Sequence, residues 1–182
     1  MIQAPVSPEV YPGAVWYPIE PYPPPYHQGD ISDKNQITDH ISESGPDSRG
    51  SLAWYANLKD KSQRLGTQFY ISQDGTVYQT CLAGRTTWHA SQVNAHSIGI
   101  EHAASSGTDP KVPALPVSDA QYAASAKLHA WISKLAKIPL DRMHVRSHWE
   151  ASPADGHRLC CIPTLDLDKL VAMAKVELAR LT

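Results

Sequence analysis

A chain of 182 residues with 42% apolar composition suits one compact domain with an attached segment, and a core of that size folds without disulfide staples. A formal net charge of −2 argues against a nucleic-acid binder, which carries a basic surplus, and no apolar run is long enough to span a membrane. Three cysteines are not a disulfide framework, and Met1–Val6 shows neither the basic start nor the apolar stretch of a secretory leader.

Residues 1–30 hold eight of the fifteen prolines and four of the eight tyrosines. Tyr22-Pro23-Pro24-Pro25-Tyr26 favours extended, polyproline-like backbone, so the segment is either a strap lying on the domain or a linker, with the spaced tyrosines favouring a strap. Residues 31–182 form the domain proper. Asn35–Ser42 reads as a strand with Ile37 and Ile41 on one face and Thr38, His40 and Ser42 on the other. Ser44-Gly45-Pro46-Asp47 breaks it, and residues 51–58 read as a helix with Ser48 or Ser51 as cap. Thr67–Thr80 is a hairpin closed by Asp74-Gly75.

Arg85–Ala90 follows as loop. Ser97–Glu101 is a strand whose Gly99 allows close backbone approach. Residues 105–116, with three prolines, form a loop. Ser118 and Gln121 make a capping box that opens a long helix, with Ala124, Leu128, Ile132 and Leu135 as its apolar stripe, Trp131 beside it and Pro139 closing it. Met143–Ser147 is a last strand. A final helix from Asp166 carries Leu167, Leu170, Val171, Ala174, Leu178 and Leu181 on one face. This interleaving predicts an α/β fold: a central mixed sheet flanked by about three helices.

The chemistry concentrates near the end. His144, His148, Arg158, Cys160 and Cys161 bring imidazole, guanidinium and thiol groups together just before the final helix, which reads as half of a metal site whose remaining ligand lies far upstream.

Four stretches, in order, resemble the zinc-dependent N-acetylmuramoyl-L-alanine amidases, a family that shares its fold with peptidoglycan-recognition proteins and many phage endolysins. They are the hairpin Gln68–Gln79, Trp88-His89-Ala90, Asn94–Glu101 and Ser147–Pro153. The resemblance spans roughly residues 35–170. It implies a Zn2+ ion held by His40, His148 and Cys160, with Cys161 as the rival third ligand and His144 as a structural histidine. Two imidazoles and one thiolate leave a fourth position open, as a catalytic zinc requires.

The resemblance also implies that Glu101 is the general base. The tyrosine used by another branch of the family is replaced here by Thr67, which cannot do acid–base work at neutral pH. Arg158 stands where the family has lysine; it stays protonated and would stabilise an oxyanion or clamp a substrate carboxylate. By the same reading His89 lines the cleft and contacts substrate or assists the oxyanion, while His157, beside Arg158, is a candidate for a further polar contact to substrate. Asn94 joins them as a candidate that also holds its loop, and Trp88 packs. The implied reaction is hydrolysis of the amide between N-acetylmuramic acid and L-alanine in peptidoglycan by a monomer. The alternative is a muropeptide-binding module of the same fold. A phage endolysin would stay in the host cytoplasm until its release to the wall, and a bacterial remodelling amidase fits the same residues.

Overall fold

Strand alternation organises the molecule. The computed structural model describes residues 3–19, 29–57, 66–156, 160–161, 163–181. Within these residues a six-stranded sheet runs in the order β1-β4-β3-β5-β2-β6, with β1 Val15–Trp16, β2 Gln36–Ile41, β3 Phe69–Ile71, β4 Val77–Gln79, β5 Ser97–His102 and β6 Val145–Ser147. Only the β3–β4 pair is antiparallel. Four α-helices accompany the sheet: α1 Ser48–Asn57, α2 Asp119–Ala136, the single turn α3 His148–Ala151 and α4 Leu167–Arg180.

Register assigns each face. Ile37 pairs with Ile98 and with Val145, and Phe69 pairs with Ile100, so these side chains share one face. There they form the main core with Leu128 and Ile132 of α2 and Leu170, Val171 and Ala174 of α4. Across the register from His40 lies Glu101, and across from Glu101 lies Tyr70, so those three occupy the opposite face. Tyr70 joins Leu52 of α1, Tyr78 and Ile19 in a second, smaller cluster.

The hairpin forms at the expected turn. Gly75 has φ +84, in the left-handed region where a side chain is strained, and Asp74 Oδ1 accepts the Thr76 amide at 2.9 Å. The capping box of α2 is present, with the Gln121 amide donating to Ser118 Oγ and the Ser118 amide to Gln121 Oε1, each at 3.0 Å. The helix ends at Ala136, where Lys137 turns left-handed (φ 57), two residues ahead of Pro139.

Several elements differ from expectation. Helix α1 begins three residues early, at Ser48, because Asp47 rather than a serine caps it: Asp47 Oδ1 accepts the Arg49 amide at 2.9 Å. The buried face of α2 includes Ser125 and His129, while Ala124, Leu135 and Trp131 are only partly buried. Strand β2 is buried along its whole length. Strand β6 starts two residues late, at Val145, so His144 lies outside it, and Ser147 at its end caps α3, of which His148 is the first residue.

Residues 3–19 lie against the domain. Strand β1 pairs in parallel with β4 at the sheet edge, the Tyr11 amide donates to Gln79 Oε1 at 2.8 Å, and the Glu9 carboxylate accepts the Gly84 amide at 2.7 Å. The polyproline run Tyr22–Tyr26 lies outside the described residues. No described helix is long and apolar enough to cross a membrane.

Candidate active site

Three side chains distant in sequence converge at the ends of β2 and β6. His40, His148 and Cys160 each offer one ligand atom, and these atoms lie within 4.8 Å of one another; among the described residues no other group of three or more His, Cys, Asp or Glu side chains does so. His40 Nδ1 is 3.9 Å from Cys160 Sγ, and the rings of His40 and His148 cross edge to face with centroids 4.8 Å apart. A tetrahedral ion with bonds of about 2.0–2.3 Å sets its ligands roughly 3.6 Å apart. The donor set, two imidazoles and a sulfur, therefore fits a borderline-soft dication with one position left over.

The fold places each donor for a local reason. His40 stands near the carboxyl end of a central parallel strand, where α/β proteins carry their ligands. His148 is set by the Ser147 cap of α3, in which Ser147 and Glu150 bond reciprocally. Cys160 lies in the segment leading to α4, partly exposed, whereas its neighbour Cys161 is buried with its thiol donating to the Asp39 carbonyl at 2.9 Å. The two sulfurs are therefore distinguished by direction: Cys160 joins the imidazoles and Cys161 joins the core.

Electrostatics follow from that crowding. Contact with the Cys161 thiol and with both imidazoles, against the opposing effect of burial, holds the Cys160 thiol well below the usual range, while the same pairing and burial push Cys161 up. Burial pushes His40 down, but the hydrogen bond and negative charge of Cys160 outweigh it and leave it raised. Glu101, beside His40 in the register, is pushed up to about 7, first by burial, with His40 and His148 pulling against it and Cys160 adding to it.

His40, His148 and Glu101 line a cavity of about 300 Å3 together with Thr67, Trp88, His89, Asn94 and Asp155. The His89 ring meets His40 directly, Nδ1 to Nε2 at 3.0 Å. Burial and the neighbouring His40 lower its pKa, so it is neutral, and its buried Nε2 has no hydrogen-bond partner among the described residues. Gly99 makes room for that ring: a Cβ there would lie 2.8 Å from His89 Cγ and 2.7 Å from Thr67 Cγ2. Asn94 Oδ1 accepts the amides of His89 and Ala90 at 2.9 and 2.7 Å, so its carbonyl holds the loop. Gln68 secures the same loop by accepting the Thr87 hydroxyl at 3.0 Å and donating to the Arg85 carbonyl at 2.6 Å. Thr67 donates its hydroxyl to the Phe69 carbonyl at 2.7 Å.

His144 stands apart, bonded to Asp141 through Nδ1 at 2.7 Å. His157 and Arg158 lie outside the described residues. One wall residue escapes the sequence reading: Asp155, whose Oδ2 is 3.0 Å from His148 Nε2. Burial opposes its ionisation, but the bonds to His148 and Ser91 hold its carboxyl below the usual range. An acidic residue in a short Ser-Pro-Ala-Asp-Gly turn reads as a loop residue, and nothing in its spacing marks a partner.

The model of the N-acetylmuramoyl-L-alanine amidase family matches residues 32–161, more than two thirds of the chain. No curated protein sequence matches significantly. Among solved structures, the amidase LysC from Clostridium intestinale URNW superposes with a TM-score of 0.68 at 17% identity, covering 91% of this chain and 99% of that one. An AmpD derivative gives a TM-score of 0.63 at 21% identity, with 93% and 99% covered. The Ph2119 endolysin from Thermus scotoductus MAT2119 bacteriophage Ph2119 gives 0.61 at 16% identity, with 84% and 92% covered. At these identities the superpositions speak to the fold.

Proposed function

The chain belongs to the N-acetylmuramoyl-L-alanine amidase family, and on that premise we propose that it hydrolyses the amide joining N-acetylmuramic acid to the L-alanine of the stem peptide with a zinc ion held by His40, His148 and Cys160. The observation that carries this reading is the convergence of those three donors, two of which, His40 and His148, share the wall of one cavity with Glu101. Zinc bound there would polarise the scissile carbonyl and acidify the attacking water.

The remaining work falls to side chains. Glu101 takes the proton of the water and returns it to the leaving amine of L-alanine, a role suited to a carboxylate whose pKa sits near neutrality. His89 lines the cavity and meets His40 through Nδ1, and it is the proposed substrate contact of that wall. Thr67, its hydroxyl already committed to a carbonyl, takes no part in proton transfer. Arg158 and His157, two and three residues before Cys160, are proposed contacts for the oxyanion or for a substrate carboxylate. Residues 31–182 are the proposed catalytic domain, and residues 3–19 lie against it as a strap.

The test is to digest purified peptidoglycan and identify the products by mass spectrometry, with metal content measured on the same sample. Released stem peptides with a free L-alanine amine and one zinc per chain are expected. Glu101→Gln should retain zinc and lose turnover by about 10²–10⁴-fold. A chain with neither zinc nor released peptides would be a muropeptide-binding module. Comparing intact sacculi with soluble muropeptides separates a lytic enzyme from a recycling one.

A further inference from the structure

We propose that Asp155 is a positioning residue for the metal: its carboxylate accepts the Nε2 proton of His148 and thereby presents Nδ1 of that ring to the point shared with His40 and Cys160. The inference rests on the metal site proposed above.

The backbone builds this contact. His148 opens α3, and its carbonyl accepts the Ser152 amide at 2.8 Å, ending the helix after one turn. Pro153 then starts a 3-10 turn over Pro153–Asp155, in which the Asp155 amide donates to the Ser152 carbonyl at 3.1 Å, and Gly156 (φ 76) turns the chain away. Seven residues after His148, the chain has thus returned a carboxylate to its ring, with Oδ2 3.0 Å from Nε2. The contact is mostly withdrawn from solvent, the two side chains being 10% and 18% exposed.

The geometry leaves Nδ1 as the ligating nitrogen. Nε2 is committed to Asp155, and His148 is one of the three residues whose ligand atoms converge. His40 repeats the arrangement: Nδ1 faces Cys160 while Nε2 is bonded to His89. Each imidazole of the site is therefore held from behind through Nε2, one by a neutral ring and the other by a carboxylate. A ring so held has one tautomer and one orientation, and a carboxylate behind it makes the opposite nitrogen a more basic donor. Asp141 and His144 supply an internal comparison, because they form a still shorter contact, 2.7 Å, outside the metal group.

The experiment measures zinc affinity by chelator competition for the parent, Asp155→Ala, Asp155→Asn, Asp141→Ala and His148→Ala, with His148 followed by long-range 1H–15N correlation in the zinc-loaded parent. Asp155→Ala should weaken zinc binding about 10–100-fold. Asp155→Asn, which can still accept the proton but carries no charge, should fall between it and the parent, and Asp141→Ala should match the parent. The parent spectrum should show a proton on Nε2 and metal on Nδ1. That spectrum does not depend on any variant folding, and a His148 that ligates through Nε2 overturns the inference. So does an Asp155→Ala affinity within twofold of the parent. If His148→Ala binds zinc as the parent does, or the parent takes up none, the metal reading itself falls; if His148→Ala loses zinc and Asp155→Ala does not, only the role of Asp155 falls.

Discussion

Two buried histidine clusters share the same pair of strands and face opposite ways. His40 and Glu101 look toward the cavity; their immediate neighbours Asp39 and His102 look into the core beneath α2. In the inner cluster His129 Nε2 bonds Asp39 Oδ2 at 3.1 Å and Nδ1 bonds the Ser125 carbonyl at 2.8 Å, while His102 spans the His40 carbonyl at 3.1 Å and Ser125 Oγ at 3.0 Å. Every ring nitrogen there has a protein partner. In the outer cluster three donors point at one another across a gap that fits an ion, and His89 Nε2 has no partner. The inner cluster is fully buried and closes its ring nitrogens on the protein, with Asp39 Oδ1 alone unpartnered among its described atoms. The outer one borders the cavity and gathers its donors around a gap, and that difference separates a structural cluster from a chemical one.

The sharpest way to break that distinction is to delete one member from each cluster. Cys160→Ala should abolish stoichiometric zinc uptake and reduce peptidoglycan cleavage to background while leaving the metal-free fold intact, as metal analysis and circular dichroism would show. Cys161→Ala should keep the zinc. If Cys161→Ala loses the metal and Cys160→Ala keeps it, the assignment of the two sulfurs is reversed.

His129→Ala should do the opposite. It strands the Asp39 carboxylate in the core, where Oδ1 already has no hydrogen-bond partner among the described residues. Removing one member of a buried ion pair costs about 3–5 kcal/mol, so denaturant unfolding should show a loss of that size, with one zinc per folded chain retained. A loss under about 1 kcal/mol would mean that the pair is not closed as the geometry indicates.

Gly99→Ala probes the seam between the two. The added methyl would press on His89 and Thr67 without touching the inner cluster. Overpacking of this kind costs about 1–3 kcal/mol. Because His89 must shift, turnover should fall further than stability alone explains, with zinc content unchanged.

The clusters were not equally legible in the sequence. His40, His148, Cys160 and Glu101 could be named because four ordered stretches resemble a family. The hairpin and the α2 cap could be named because Asp74-Gly75 and Ser118/Gln121 are local signals. The inner network had no such signal: Asp39 and His129 are 90 positions apart, and their meeting depends on how α2 lies across a parallel sheet. The same holds for Asp155, whose significance arises only when its turn folds back on His148. Strand β1 was hidden by brevity, two residues in a proline-rich stretch whose partner β4 lies some sixty residues downstream. Local chemistry survives in a one-dimensional reading; partnerships made by packing do not.

The smallest expected effect distinguishes the two inner histidines from each other. Asp39 outweighs burial and raises the pKa of His129, whereas burial dominates at His102 and lowers it. Above the unfolded value of 6.5, folded His129 holds a proton that the unfolded chain has released, so its contribution to stability falls as pH rises through its folded pKa. Below 6.5 the unfolded chain protonates His102 while the fold keeps it neutral, so that contribution falls as pH drops. The pair alone therefore sets a stability maximum near pH 6.5, with limbs of at most about 1.4 kcal/mol per pH unit. Subtracting the stability–pH curve of His129→Asn from that of the parent cancels the titration of the outer cluster and should leave a difference that shrinks steadily above pH 6.5. A difference that is flat there would mean that His129 is neutral in the fold.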